Sequence, residues 1–171
     1  MKYWHIVLST VVWTLSPLAS GQGVDVHLRL LKPDAIEVGY TLPPQCAAVP
    51  FIKNGPDGGQ TRANWQALDD CGAAGADQLT RGKGVCPVLR FRVPTATNLP
   101  GYPAAFPLGQ GAYVHLSNYA LADSCGKVAY HFSAPGILMD GRSHRDQAVA
   151  NAGEDTAALL LQTPQAQHDG G

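Results

Sequence analysis

Between residues 24 and 133, apolar and polar positions alternate in short runs. Such runs put successive side chains on opposite faces of a strand. Val24-Asp-Val-His-Leu-Arg-Leu30 alternates without a break. After the turn signal Lys32-Pro-Asp34, Ile36-Glu-Val-Gly-Tyr-Thr-Leu42 does the same, so the two runs predict a hairpin that Pro43-Pro44 terminates. Leu89-Arg-Phe-Arg-Val93 sets Leu89, Phe91 and Val93 on one face and Arg90 and Arg92 on the other, and Pro94 stops it. Ala112-Tyr-Val-His-Leu-Ser-Asn-Tyr119 and Val128-Ala-Tyr-His-Phe-Ser133 predict two further strands joined across Asp123-Ser-Cys-Gly126. No stretch from Gln22 to Gly141 keeps an apolar period of 3.6 for three turns. The expectation is an all-β fold: an antiparallel β-sandwich with Gly/Pro-rich loops.

The two ends read differently. Lys2, the apolar run Ile6 to Leu15, Pro17 and the small residues Ala19, Ser20 and Gly21 have the outline of a signal peptide over residues 1–21, with cleavage before Gln22. An apolar run of this length falls short of the roughly twenty residues that span a bilayer. Residues 22–142 then form the predicted sandwich domain. Residues 143–171 form an extension, rich in Ala and Leu from His144 to Gln162, which fits a helix by propensity. It also fits a hairpin turning at Asn151-Ala-Gly153 with Thr156 to Gln162 as its second strand, and the β character of the rest favours the hairpin. From Thr163 onward the chain is polar and is expected to fray.

Composition sharpens this picture at three points. Nineteen Gly and thirteen Pro in 171 residues are well above average usage and carry no collagen period, so the chain turns often. A net charge of -1 with scattered signs lacks the basic footprint that nucleic acid or an anionic membrane selects. Four cysteines, Cys46, Cys71, Cys86 and Cys125, lie past the leader, and an even number in an exported chain argues for two disulfides in the periplasm or outside the cell. Cys71 and Cys86 bracket a Gly-rich excursion whose closure would stabilise by about 3 kcal/mol in the chain-entropy model. That bridge is favoured, with Cys46 to Cys125 as the second; the sequential pairing, Cys46 to Cys71 and Cys86 to Cys125, stays open. No Cys-x2-Cys or Cys/His spacing supports zinc.

Candidate chemistry is sparse. The chain has no H-E-x-x-H, no G-x-S-x-G elbow and no G-x-x-x-x-G-K loop. With its cysteines bonded it has no thiolate either. His115 and His131 lie in predicted strands; paired in register they would approach metal-binding distance, with Asp140 or His144 completing a site, although solvated surface imidazoles give the same pattern. Trp65, just before Cys71, reads first as core. As a stacking platform with Tyr102, Tyr113 and Tyr119 it would instead make a carbohydrate- or peptide-binding domain. Asp69-Asp70 with Asp77 lacks the ligand spacing of a dedicated calcium loop. Arg81 and Lys83 sit in a Gly-rich loop with no helix behind it, a surface loop rather than an anion cradle.

Taken in order, Ile36-Glu-Val-Gly-Tyr-Thr-Leu-Pro43, the isolated Trp65, Leu89-Arg-Phe-Arg-Val-Pro94 and Gly109-Gln-Gly-Ala-Tyr-Val-His-Leu-Ser-Asn-Tyr119 form a layout. It resembles the N-terminal β-domain of glycyl-aminopeptidase-type zinc metallopeptidases over Val24 to Ser133. The resemblance implies a sandwich that packs beside a catalytic unit. That family's catalytic helix has no counterpart in this sequence, so no catalytic residue carries over. The implied function is a non-catalytic exported module, either a truncated product of a longer gene or a stand-alone relative. Its partner would be a peptidase-like catalytic domain or another protein, without a cofactor, nucleic acid or membrane attachment after leader removal.

Overall fold

The computed structural model describes residues 23–32, 34–53, 55–84, 86–95, 103–151 and 156–163. The leader, Tyr102, the turn after Asn151 and the C-terminal tail lie outside the described residues.

Twelve strands account for most of the described residues. In chain order they are β1 Gly23–Lys32, β2 Ala35–Thr41, β3 Ala48–Pro50, β4 Gln66–Ala67, β5 Gly72–Ala74, β6 Gln78–Arg81, β7 Leu89–Pro94, β8 Ala105–Leu108, β9 Gly111–His115, β10 Lys127–Met139, β11 Arg142–Asn151 and β12 Ala157–Leu161. Among the described residues one α-helix, α1 Gly55–Arg62, interrupts them. No helix among the described residues is long and apolar enough to cross a membrane.

The predicted β1/β2 hairpin forms, with Arg29 opposite Glu37 and their side chains 2.7 Å apart. Its alternation is read directly as burial: Val24, Val26 and Leu28 are sealed in the core while His27 and Arg29 face out. β7 adds to the other side of β2 in antiparallel register. The unforeseen partner is β10, which lies parallel to β1 from Gly23–Lys127 to Arg29–Ser133. The main sheet is therefore mixed, not purely antiparallel.

β10 organises the molecule. Its first half runs beside β1, and its second half, Gly136 to Met139, runs antiparallel to β12. β11 pairs along the opposite edge. One wing thus reads β4-β7-β2-β1-β10 and the other β10-β12-β9-β8. Both send side chains into one hydrophobic cluster, Val26, Tyr40 and Phe91 from the first, Val114, Ile137 and Leu160 from the second. The result is sandwich-like. A three-stranded sheet, β3-β6-β5, adds Val49 and Leu79 to the same core.

Several expectations are corrected. β10 passes through Pro135 to Met139 instead of stopping at Ser133, because the irregularity between Ala134 and Ile137 gives the proline a position outside the ladder. β10 and β11 join through Asp140 and Gly141, both at positive φ (52° and 72°), the geometry of a two-residue type I′ turn. The strand expected over 112–119 ends at His115 and becomes a 3-10 turn, Leu116–Asn118. It does not pair with β10, since β12 lies between them. The tail is strand, as favoured, yet β11 and β12 do not form a hairpin: each pairs with β10 on opposite sides. α1 has no apolar period to announce it. Its Gly58 is required by packing, because a Cβ there would strike the Lys53 carbonyl and the Arg62 guanidinium.

Candidate functional site

The structure joins Cys46 to Cys125 and Cys71 to Cys86, with Cα separations of 6.1 and 5.5 Å, and not sequentially. Two buried or half-buried arginines continue what the disulfides begin. Arg81 on β6 donates to the carbonyls of Cys86 at 2.7 Å and Leu42 at 2.9 Å, with longer contacts to those of Pro43 and Cys46. One guanidinium thereby bridges the two bridged loops. Around it lies a cleft of about 380 Å³ lined by Leu42, Pro44, Arg81, Gly84, Cys86 and Pro87. Arg62, at the end of α1 and 2% exposed, donates to the carbonyls of Lys53 (2.7 Å), Gly75 (3.0 Å) and Ala76, and its guanidinium lies 3.9 Å over the Phe51 ring. Burial lowers its pKa from the usual arginine value, opposed by Tyr40 and Asp77. Asp69 accepts from the Cys71 amide at 3.1 Å and pairs with Arg90 at 3.1 Å, so its carboxylate is used for loop closure rather than for calcium.

Trp65 packs against Phe51, Phe91 and Tyr119, with centroids 6.1, 6.0 and 5.5 Å away. Tyr119 is fully buried and donates to the Ala104 carbonyl at 2.9 Å, while its own carbonyl accepts from Tyr40. Tyr119 therefore offers no ring face to a ligand, and Trp65 belongs to this internal cluster. Burial raises the phenols of Tyr40 and Tyr119 well above their usual range, and that of Tyr130 to about 12. They stay neutral. Tyr113 lies elsewhere, on the outer side of β9 against Phe106.

The histidines regroup. His115 and His131 are kept apart by β12, because β9 and β10 are not neighbours. His115 instead contacts Ser117 at 2.7 Å and starts the 3-10 turn. Asp140 is a turn residue and His144 sits opposite Ile137 on β11. Among the described residues no group of three or more His, Cys, Asp or Glu side chains could hold a metal ion. The parallel β1/β10 register brings a different residue to His131: His27 stacks on it, with centroids 4.5 Å apart and rings 12° from parallel. His131 Nε2 also lies 3.0 Å from Asp25 Oδ1. Burial and then the neighbouring His131 lower the His27 pKa from 6.5, while Asp25 opposes the shift. No local signal marked His27, because its importance depends on a pairing between strands a hundred residues apart in sequence.

The class defined by this geometry is an all-β, disulfide-stapled, sandwich-like domain whose polar residues fasten loops. No protein-family model matches the sequence. No curated protein matches it either. Among solved structures it is similar to an aminopeptidase N family protein from Idiomarina loihiensis, at 9% identity and a TM-score of 0.49. That similarity covers 81% of this chain and 29% of the other protein.

Proposed function

We propose that the chain is a non-catalytic exported module that supports a peptidase-like protein partner, as the accessory domain it resembles would. The observation that carries this reading is the use made of its reactive side chains. Both cysteine pairs, Arg62, Arg81 and Asp69 are committed to fastening the 42–53 and 69–87 segments: Cys46 to Cys125, Cys71 to Cys86, the two arginines to backbone carbonyls within these segments, and Asp69 to Arg90 of β7. Such a construction gives rigidity, which is what a scaffold needs. Two disulfides agree with an oxidising compartment. The test is hydrolysis of aminoacyl arylamides by the purified oxidised chain, with and without added Zn2+. Turnover at the buffer rate in both conditions is expected; turnover that rises with enzyme concentration overturns the reading.

A further inference from the structure

The outer face of the first wing carries one cluster that the clamps above do not use. Val24, Val26, Leu28, Val128, Tyr130 and Phe132 point into the core, so Asp25, His27 and His131, which alternate with them, point out. The parallel register sets His27 directly beside His131, and the rings stack with centroids 4.5 Å apart. Asp25 Oδ1 lies 3.0 Å from His131 Nε2; a carboxylate only accepts, so the ring nitrogen donates. The neighbouring charges on this face are engaged elsewhere: Arg29 with Glu37 of β2, Arg90 of β7 with Asp69, and Arg92 of β7 with Asp34. Lys127 stands four residues back along β10 and is exposed. Toward the cluster, β2 presents Gly39 and Thr41, and β11 presents Gln147, Val149 and Asn151, none of them charged. The charged neighbours that act on His27 are His131 and Asp25. Two imidazoles thus share one carboxylate.

We propose that His27, His131 and Asp25 form an acid-sensitive clasp on the β1/β10 seam, closed while the two rings hold at most one extra proton between them and loosened when both are charged. With one imidazolium, Asp25 offsets the charge and the neutral ring lies flat against the cationic one. With two, like charges stand directly opposite each other on adjacent strands, which opposes the pairing. The clasp sits where that opposition counts. β1 is the strand that joins the β4-β7-β2 wing to β10, and the join is parallel. Its slanted hydrogen bonds hold less per residue than the antiparallel ladders that β10 makes with β11 and β12. Burial and then His131 lower the His27 pKa from 6.5, so the doubly charged pair forms only on acidification below that value. A ring that binds its proton more readily once released shifts the balance toward the open seam as pH falls. This inference goes beyond the supporting role above and stands on the β1/β10 register and the stacked pair alone.

Proton NMR titration of the histidine rings between about pH 8 and about pH 4, with native-state hydrogen exchange over the same range, tests it on the oxidised chain and on the variants His131→Asn and Asp25→Asn. Exchange is read as protection factors, which removes the intrinsic pH dependence of the amides. In the natural chain His27 is expected to titrate below 6.5. Removing the neighbouring imidazole in His131→Asn moves that midpoint up, and removing the carboxylate in Asp25→Asn moves it further down. Protection of the β1 and β10 amides over residues 24–29 and 128–133 falls as His27 takes its proton, whereas β9 and β12 keep theirs, and His131→Asn abolishes this selective fall. Circular dichroism spectra matching the natural chain confirm that the variants fold, and the exchange measured on the natural chain stands without them. A His27 midpoint that either folded variant leaves in place, or seam protection that falls no more than that of β9 and β12, overturns the proposal.

Discussion

Arg62 shows how much a single side chain can hold. It is nearly fully buried, it satisfies the carbonyls of Lys53, Gly75 and Ala76, and its cation rests on Phe51. Arg62→Met keeps much of the apolar stem but leaves those acceptors without a donor, so equilibrium urea unfolding should report a loss of about 3 kcal/mol. A loss within about 0.5 kcal/mol, ordinary for a surface change, would contradict the clamp. His27 makes a prediction in pH. Its folded-state pKa lies below 6.5, so the unfolded chain binds that proton more readily. Stability tied to neutral His27 is complete above pH 6.5 and is lost as pH falls through the folded-state value. The melting temperature of His27→Asn should therefore decline less between neutral pH and pH 5 than that of the natural chain. Parallel declines would remove His27 from the acid limb.

At the scale of the element, the β10/β11 hairpin is the part most open to a quantitative test. Gly141 sits at φ 72° and a Cβ there would meet nothing within 4 Å, so Gly141→Ala costs backbone strain alone. About 1 to 2 kcal/mol is expected, with Asp140→Asn near neutral because Asn-Gly suits the same turn; equal stabilities for Gly141→Ala and the natural chain would contradict the turn assignment. The Asp-Gly signal was present in the sequence, but Pro135 obscured the strand leading into it, and only the tertiary irregularity at Ala134 to Ile137 lets that strand continue. Elements with local causes were legible: β1, β2 and β7 from alternation, Trp65 as a residue packed against the core, and the Cys71–Cys86 bridge from loop length, whereas Cys46–Cys125 followed only as the remaining pair with the sequential pairing still open. Elements with distant causes were not. The parallel β1/β10 pair, the insertion of β12 beside β9 and the His27–His131 stack all depend on strands far apart in sequence. α1 forms against its own glycines because Arg62 anchors its end.

At the scale of the whole molecule, β10 is the spine that carries two wings, and the disulfides and arginines fasten the connecting segments to them. Such a body behaves as a platform only if its loops are locked. Loop-closure entropy ranks the locks: Cys46–Cys125, 79 residues apart, should contribute about 4.5 kcal/mol and Cys71–Cys86, 15 apart, about 3 kcal/mol. Together they approach the roughly 5 to 15 kcal/mol that holds an ordinary domain folded. Calorimetry of the purified chain, oxidised and then fully reduced, tests the locked scaffold most directly. One cooperative transition that weakens drastically or vanishes on reduction is the predicted result; an unchanged melting temperature after complete reduction would contradict it.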